Sequence, residues 1–390
     1  MNRKILHIDL DAFFCAVEEI LNPFLKNKIF ATGGSPEGRG VVTSASYAAR
    51  KKNIHSAMPM AIALRKVPDL IVVKGHFEEY EKRSDEVIAI LNQITPAVEQ
   101  ISIDEAFLDV SDLKSDLERI ALDIQMRIYS DLNLPVSIGG ASNKLVAKIS
   151  TNIAKSSHTG KDYPMAIKII PQGEEKDFLD PLPVVEMWGI GPKSSEALKK
   201  IGIETIGDIL RFPKELIYQH FGKFSEELIR RALGVDVRPV GNFRDIKSVS
   251  NERTFYSDTR DEKILLLHLK DLSEKVAERL RNKELVGKTI RLKIRWKGFE
   301  THTRQMTLDQ PTNNDSIIFR TVKELFFSVW EKDKLVRLVG VGVSNLDQTI
   351  QQLSLFNQRF NQEEHLLDAI DSINKKFGKR TISKGFGIKR

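Results

Sequence analysis

Cysteine occurs once in the 390 residues, at Cys15, which excludes an internal disulfide and a cluster of thiolate metal ligands. A lone thiol of this kind reads as a small buried hydrophobe in a reducing, cytoplasmic setting. No uninterrupted apolar run reaches the roughly 18 residues that a membrane-spanning helix requires. Met1-Asn2-Arg3-Lys4 leads into a strand too short to be the apolar stretch of a signal peptide. Internal repeats and long low-complexity segments are missing as well.

What is present is an ordinary globular balance, 41% hydrophobic and 29% charged, in a chain long enough for roughly two to four domains. The net charge of +7 and a pI near 9.2 favour an anionic partner. The charge is concentrated: Arg279, Arg281, Lys283, Lys288, Arg291, Lys293, Arg295 and Lys297 fall in one stretch whose single acid is Glu284. Nucleic acid is the leading reading of that pattern.

The stretch that organises the chain is Ile101-Ser102-Ile103-Asp104-Glu105-Ala106-Phe107-Leu108-Asp109. It reads as a hairpin with adjacent carboxylates at its turn. Neighbouring strand residues point to opposite faces, so Asp104 and Glu105 converge only if the turn re-aims one of them or a cation lies at the strand edge. Unneutralised, such a pair pushes one pKa up; a hard cation such as Mg²⁺ removes that penalty. Asp9, at the end of the short strand over 4–9, supplies a third carboxylate. Two strand ends bearing three carboxylates suit a two-ion site of the kind that clamps the attacking and leaving oxygens of phosphoryl transfer. The plain alternative is a solvated turn.

Further along, Phe13 and Phe14 stand side by side at a strand-to-helix turn, either in the core or as a wall of a substrate pocket near the ion site. Tyr47 and Arg50, three apart, share a helix face and suit phosphate oxygens. Ser142 is a candidate cap for a helix over 143–155. With residues 10–75 set aside as an insertion, the order is strand, helix, strand, strand, helix, strand, the ferredoxin-like plan. Met187-Trp188-Gly189-Ile190-Gly191-Pro192-Lys193 opens a helix with a Gly-Ile-Gly turn able to aim N–H groups at phosphate, in the manner of a helix-hairpin-helix DNA grip. In Thr289–Lys297, Ile290, Leu292, Ile294 and Trp296 alternate with Arg291, Lys293, Arg295 and Lys297, so one face covers a core and the other carries four like charges. The tail presents Leu353, Leu355 and Phe356, three large apolar residues in a polar segment that follows Gln352, and they suit a partner's groove.

These residues resemble the Y-family, translesion DNA polymerases, specifically the bacterial DNA polymerase IV group. The similarity covers about residues 4–346 and rests on five blocks in one order: Ile8–Phe14, Ser46–Lys51, Ser102–Asp109, Ser137–Lys144 and the Gly-Ile-Gly turn. The resemblance implies an α+β, multidomain right-hand polymerase. Its ferredoxin-like palm would be 1–10 and 76–170, small fingers 11–75, helix-hairpin-helix thumb 171–234, C-terminal α+β little finger 245–346, and tail 347–390. It implies two Mg²⁺ ions on Asp9, Asp104 and Glu105, with the Leu10 carbonyl as an extra ligand. Tyr47, Arg50 and Lys155 would hold the dNTP triphosphate, and Phe14 would be the steric gate against a ribose 2′-hydroxyl. Gly189, Gly191, Lys193, Arg291, Lys293, Arg295 and Lys297 would contact primer-template DNA. Gln352, Leu353, Leu355 and Phe356 would bind a sliding clamp (β clamp). A monomeric, cytoplasmic, low-fidelity enzyme without proofreading is expected. One departure concerns Lys155: relatives commonly follow that position with Pro, Asn or Asp, and Gly, whereas Ser156-Ser157-His158-Thr159-Gly160 stands here. The rival readings are a nucleotidyl cyclase on the same palm plan and a non-catalytic DNA-binding repair factor. The basic strand and Gly-Ile-Gly turn disfavour the first, and the full carboxylate set disfavours the second.

Overall fold

A computed structural model of the chain describes residues 3–160, 162–241 and 246–348, with Ala369, Ser372, Ile373, Lys376, Phe377, Thr381 and Ile382 beyond them. The tail residues Gln352, Leu353, Leu355 and Phe356 lie outside the described residues. The chain divides into two compact units, Met1–Phe243 and Arg244–Arg390.

The first unit runs β1 (Ile5–Leu10), α1 (Phe13–Leu21), β2 (Phe30–Gly33), β3 (Val42–Ala45), α2 (Tyr47–Arg50), α3 (Met60–Lys66), β4 (Ile71–Val73), α4 (Phe77–Asn92), β5 (Val98–Gln100) and β6 (Glu105–Asp109). It continues with α5 (Leu117–Leu132), β7 (Val136–Ala141), α6 (Lys144–Ser156), β8 (Ile167–Ile169), α7 (Glu175–Leu179), α8 (Pro192–Lys200), α9 (Ile206–Arg211), α10 (Lys214–Phe221) and α11 (Phe224–Ala232). Its main sheet has the order β5-β6-β1-β7-β8, in which β5, β6, β1 and β7 pair antiparallel and β8 joins β7 in parallel. The first four strands, with α4 and α5, have the ferredoxin-like order; α6 and β8 extend it.

Alternation along β1 decides what each face holds. Leu6, Ile8 and Leu10 pack into the core shared with α4 and α5. Ile5 belongs to the core on the other side, under α6. His7 and Asp9, sharing Ile5's parity, therefore face α6 as well. A separate three-stranded sheet, β3-β2-β4, has its own small core around Ala31, Val42, Ile54 and Met60.

Asn143, not Ser142, caps α6: its Oδ1 accepts from the Val146 N–H at 3.1 Å, while Ser142 Oγ donates to Glu175. The extended backbone that a cap requires falls one residue later than expected. Helix α5 starts at Leu117, after the extended Asp116.

The second unit comprises β9 (Ser248–Thr259), α12 (Glu262–Arg281), β10 (Leu285–Trp296), β11 (Thr301–Thr312), α13 (Asp315–Phe327) and β12 (Val336–Gln348). The antiparallel sheet has the order β11-β10-β12-β9. Side chains at Asp261 and Asn314 accept from first-turn N–H groups and start its two helices. Ile290, Leu292, Ile294 and Trp296 are buried against Leu269, Val276, Ile318 and Phe326, as alternation requires.

Candidate active site

Asp9 is the register partner of Glu105 across β1 and β6, so the two carboxylates stand side by side on the face that α6 covers. The turn before β6 is closed by Ile101 N–H donating to the Glu105 carbonyl at 2.9 Å, and the Leu10 N–H donates to the Asp104 carbonyl at 3.0 Å. Asp104 is thus the last turn residue and Glu105 the first strand residue. The Asp104 side chain is turned aside, with Oδ1 accepting from Ser102 Oγ at 2.6 Å.

Helix α6 brings two ammonium groups to this pair. Lys155 Nζ donates to Asp9 Oδ1 at 2.6 Å and lies 3.2 Å from Asp11 Oδ1. Lys148 Nζ donates to Glu105 Oε2 at 2.7 Å. Behind them the buried His7 has Nδ1 2.9 Å from Thr151 Oγ1 and Nε2 3.4 Å from Lys148 Nζ. The sequence reading overlooked Lys148 and His7; the seven-residue interval between Lys148 and Lys155, two helical turns, was the available signal. Asp11 faces Ser137, whose hydroxyl donates to it, and also accepts from Met165 N–H, so it ties the end of β1 to β7 and the segment before β8.

The electrostatics divide the pair. Burial, with the charges of Glu105 and Asp104 alongside, raises the Asp9 carboxyl to about 6 despite Lys155. Burial also acts to raise Glu105, but its hydrogen-bond partners and the Lys148 charge outweigh it and hold the carboxyl at about 2. Of those partners Lys148 decides, since His7 Nε2 lies 3.9 Å from Glu105 Oε2, beyond hydrogen-bond reach. Burial lowers His7 to about 4, so it is a neutral imidazole at neutral pH.

Tyr47 and Arg50 share a face of α2, which Ser46 caps. The Arg50 guanidinium carbon lies 4.7 Å from the Tyr47 ring centre, and Arg50 Nε donates to the Ala45 carbonyl. The Tyr47 hydroxyl is buried without a hydrogen-bond partner among the described residues, and burial together with the Asp11 charge pushes it up to about 12, partly offset by Lys155. Tyr47, Arg50 and Lys155 therefore gather beside the carboxylates. Phe14 is the second residue of α1, after the left-handed N-cap Ala12 and Phe13, its ring stacked on Tyr80.

At the start of α8, Gly189 has φ 96°, and a Cβ there would stand 2.6 Å from Arg231 Nη1. That guanidinium donates to the Trp188 carbonyl at 2.8 Å, which holds the turn in shape. Gly191 is the N-cap and Lys193 lies in the first turn, where N–H groups lack helical partners.

In the second unit the row of four like charges does not stand as expected. Lys297 lies in the turn beyond β10. Lys293 Nζ is paired with Glu252 at 2.8 Å, reaching over Gly340, whose missing side chain leaves the space. Arg295 Nε donates to Thr301 Oγ1, and Arg291 lies 3.4 Å from Gln305 Oε1. A trough of about 210 Å³ runs over Gly340 and Gly342 between Arg291 and Ser250.

The carboxylate cluster suits a hard divalent cation by donor type. All its side-chain donors are oxygens, and two ammonium ions already stand on them in place of metal charge. Among the described residues, however, no three Asp, Glu, His or Cys side chains converge closely enough to enclose an ion. The Asp104 carboxylate is instead held by the Ser102 hydroxyl.

The chain matches the impB/mucB/samB family over residues 8–152, that family's C-terminal domain over 246–355 and its HHH motif over 173–203. A DNA polymerase IV of Dehalococcoides mccartyi is 38% identical over 388 residues, spanning 98% of this chain and 97% of that protein. A DNA polymerase IV of Streptococcus pyogenes is 37% identical over 360 residues, 91% of this chain and 97% of that one. Among solved structures, a Dbh-Dpo4-Dbh Y-family DNA polymerase chimera superposes with a TM-score of 0.77 at 27% identity, over 88% of this chain and 98% of its own. DinB from Sulfolobus solfataricus does so at 0.60, also 27% identical, over 87% and 98%. Divalent metal ions are a general requirement of such polymerases. The chain belongs to the impB/mucB/samB family, the Y family of template-directed, translesion DNA polymerases.

Proposed function

We propose that this chain extends a primer 3′-hydroxyl with dNTP opposite plain and damaged templates, at low fidelity, with Asp9, Asp104 and Glu105 as its catalytic carboxylates. The observation that carries the reading is the cross-strand pair of Asp9 and Glu105, beside Tyr47, Arg50 and Lys155. These three carboxylates and the Leu10 carbonyl would hold two Mg²⁺ ions, which when bound make the 3′-hydroxyl more acidic and neutralise the triphosphate and leaving pyrophosphate.

The chain's own groups bind and orient. Tyr47, whose hydroxyl has no partner among the described residues, and Arg50 receive triphosphate oxygens; Lys155 joins them by exchanging Asp9 for phosphate. Phe14 fills the space a ribose 2′-hydroxyl needs. Gly189, Gly191 and Lys193 at the start of α8, and Arg291, Lys293, Arg295 and Lys297 in the second unit, hold the DNA backbone. Palm 1–10 and 76–170, fingers 11–75, thumb 171–234, little finger 245–346 and tail 347–390 are the proposed division. The fingers are short, so selection rests largely on base pairing. Gln352, Leu353, Leu355 and Phe356 are assigned to a sliding clamp, and the enzyme to the cytoplasm as a monomer without proofreading.

The test is primer extension with Mg²⁺ on undamaged and lesion-bearing templates, with Asp104→Ala alongside. Asp104→Ala should abolish extension while DNA binding stays nearly intact; extension retained by that variant refutes the site.

A further inference from the structure

Glu18 is a fully buried carboxylate that the mechanism above leaves unused. It lies on α1 four residues after Phe14, on the same helix face. Among the described residues, every group it accepts from belongs to the start of α4: His76 N–H at 3.3 Å, His76 Nδ1 at 2.9 Å and the Tyr80 hydroxyl at 2.5 Å. His76, the N-cap of α4, has no side-chain cap of its own, so Glu18 supplies the anion that helix start favours. The Tyr80 ring, wholly buried, stacks on Phe14 with centroids 4.4 Å apart and planes 16° from parallel. The contacts close a loop: Phe14 along α1 to Glu18, Glu18 to the Tyr80 hydroxyl, and the Tyr80 ring back to Phe14. Phe77, largely exposed, touches Phe14 edge-on, so Tyr80 is the rigid support behind the ring.

We infer that Glu18 is a positioning residue for sugar selection: by fixing the Tyr80 hydroxyl it sets the plane of Phe14 and so the space left at the 2′ position of an incoming nucleotide. This rests on the reading of Phe14 as the steric gate. A ring free to tilt by a fraction of its thickness admits a hydroxyl, whereas a ring stacked on a pinned neighbour does not.

The experiment compares kcat/KM for a ribonucleotide and the matching deoxyribonucleotide in wild type, Phe14→Ala, Tyr80→Phe, Glu18→Gln and the Tyr80→Phe/Glu18→Gln double variant. Tyr80→Phe removes only the hydroxyl and is the least disruptive change. Phe14→Ala should raise the ribo-to-deoxy ratio most; Tyr80→Phe and Glu18→Gln should each raise it about three- to tenfold, through a lower ribonucleotide KM, while deoxyribonucleotide use changes little. The double variant should match Tyr80→Phe, because Glu18→Gln acts on the ratio only through the Tyr80 hydroxyl that Tyr80→Phe has already removed. If Phe14→Ala raises the ratio and the other two do not, or if they depress both nucleotides equally, or if their effects add, Glu18 has no such role while the gate stands. An unchanged ratio in Phe14→Ala removes the gate and this inference with it.

Discussion

Gly139 lies so close to Ala147 that a Cβ on it would stand 2.2 Å from the Ala147 carbonyl oxygen and 2.4 Å from Ser150 Oγ and Thr151 Oγ1. Gly139 is the register partner of His7 on β1, so this bare patch of β7 is where α6 settles onto the face that carries Asp9. The close approach brings Lys148 and Lys155 within 2.7 Å of the carboxylates.

Gly139→Ala should therefore push α6 outward. An overpacked site of this kind costs about 1–3 kcal/mol, read as a lower Tm, and primer extension should fall as Lys148 and Lys155 move with the helix. Unchanged Tm and activity would show that α6 tolerates the displacement.

Asp9 and Glu105 should respond oppositely to neutralisation. The folded Asp9 carboxyl sits at about 6, above the ordinary 3.8, so its ionised form opposes folding. The cost at pH 7 is on the order of 3 kcal/mol. Asp9→Asn should raise Tm at pH 7 without divalent cations, with the gain shrinking below pH 6 and gone near pH 4. Glu105 sits at about 2, below 4.5, so its ionised form supports folding above that range and the support is lost as pH falls through 2. Glu105→Gln should lower Tm at pH 7. Shifts of the same sign in a calorimetric comparison would contradict this division.

Lys155→Ala should raise the KM for dNTP and lower kcat/KM about 10- to 100-fold, the loss of a charge-assisted phosphate contact. DNA affinity measured without nucleotide should stay close to wild type. A fall confined to DNA affinity would place Lys155 outside the triphosphate site.

Lys293 and Glu252 form an ion pair, which the proposed DNA contact at Lys293 would break. Lys293→Ala should weaken duplex binding and reduce the slope of log affinity against log salt by about 1. Glu252→Gln should strengthen binding at low salt by releasing the lysine. A Glu252→Gln variant that binds more weakly would assign that carboxylate a supporting role.

Much of this molecule can be read from local pattern. Alternation in Thr289–Lys297 announces a strand with a buried and a basic face, because side-chain direction in a strand follows residue parity. The acidic turn before Phe107 and the Gly-Ile-Gly helix start are equally local. Local pattern failed where neighbours compete: either Ser142 or Asn143 makes a chemically acceptable cap, and only the path of the chain from β7 selects Asn143. Lys293 looked like part of a uniform row until Gly340 on an adjacent strand let Glu252 reach it.

The sequence by itself determined which residues carry charge, which face of β1 each occupies and that two acids follow one another at a turn, since all three depend on covalent order and strand period. Tertiary structure alone decided that Asp9 and Glu105 are partners, that α6 lays a lysine on each, and that Glu18 reaches Tyr80. Those contacts join residues up to 146 positions apart, and such distances close only through sheet register and the depth at which a helix packs on it.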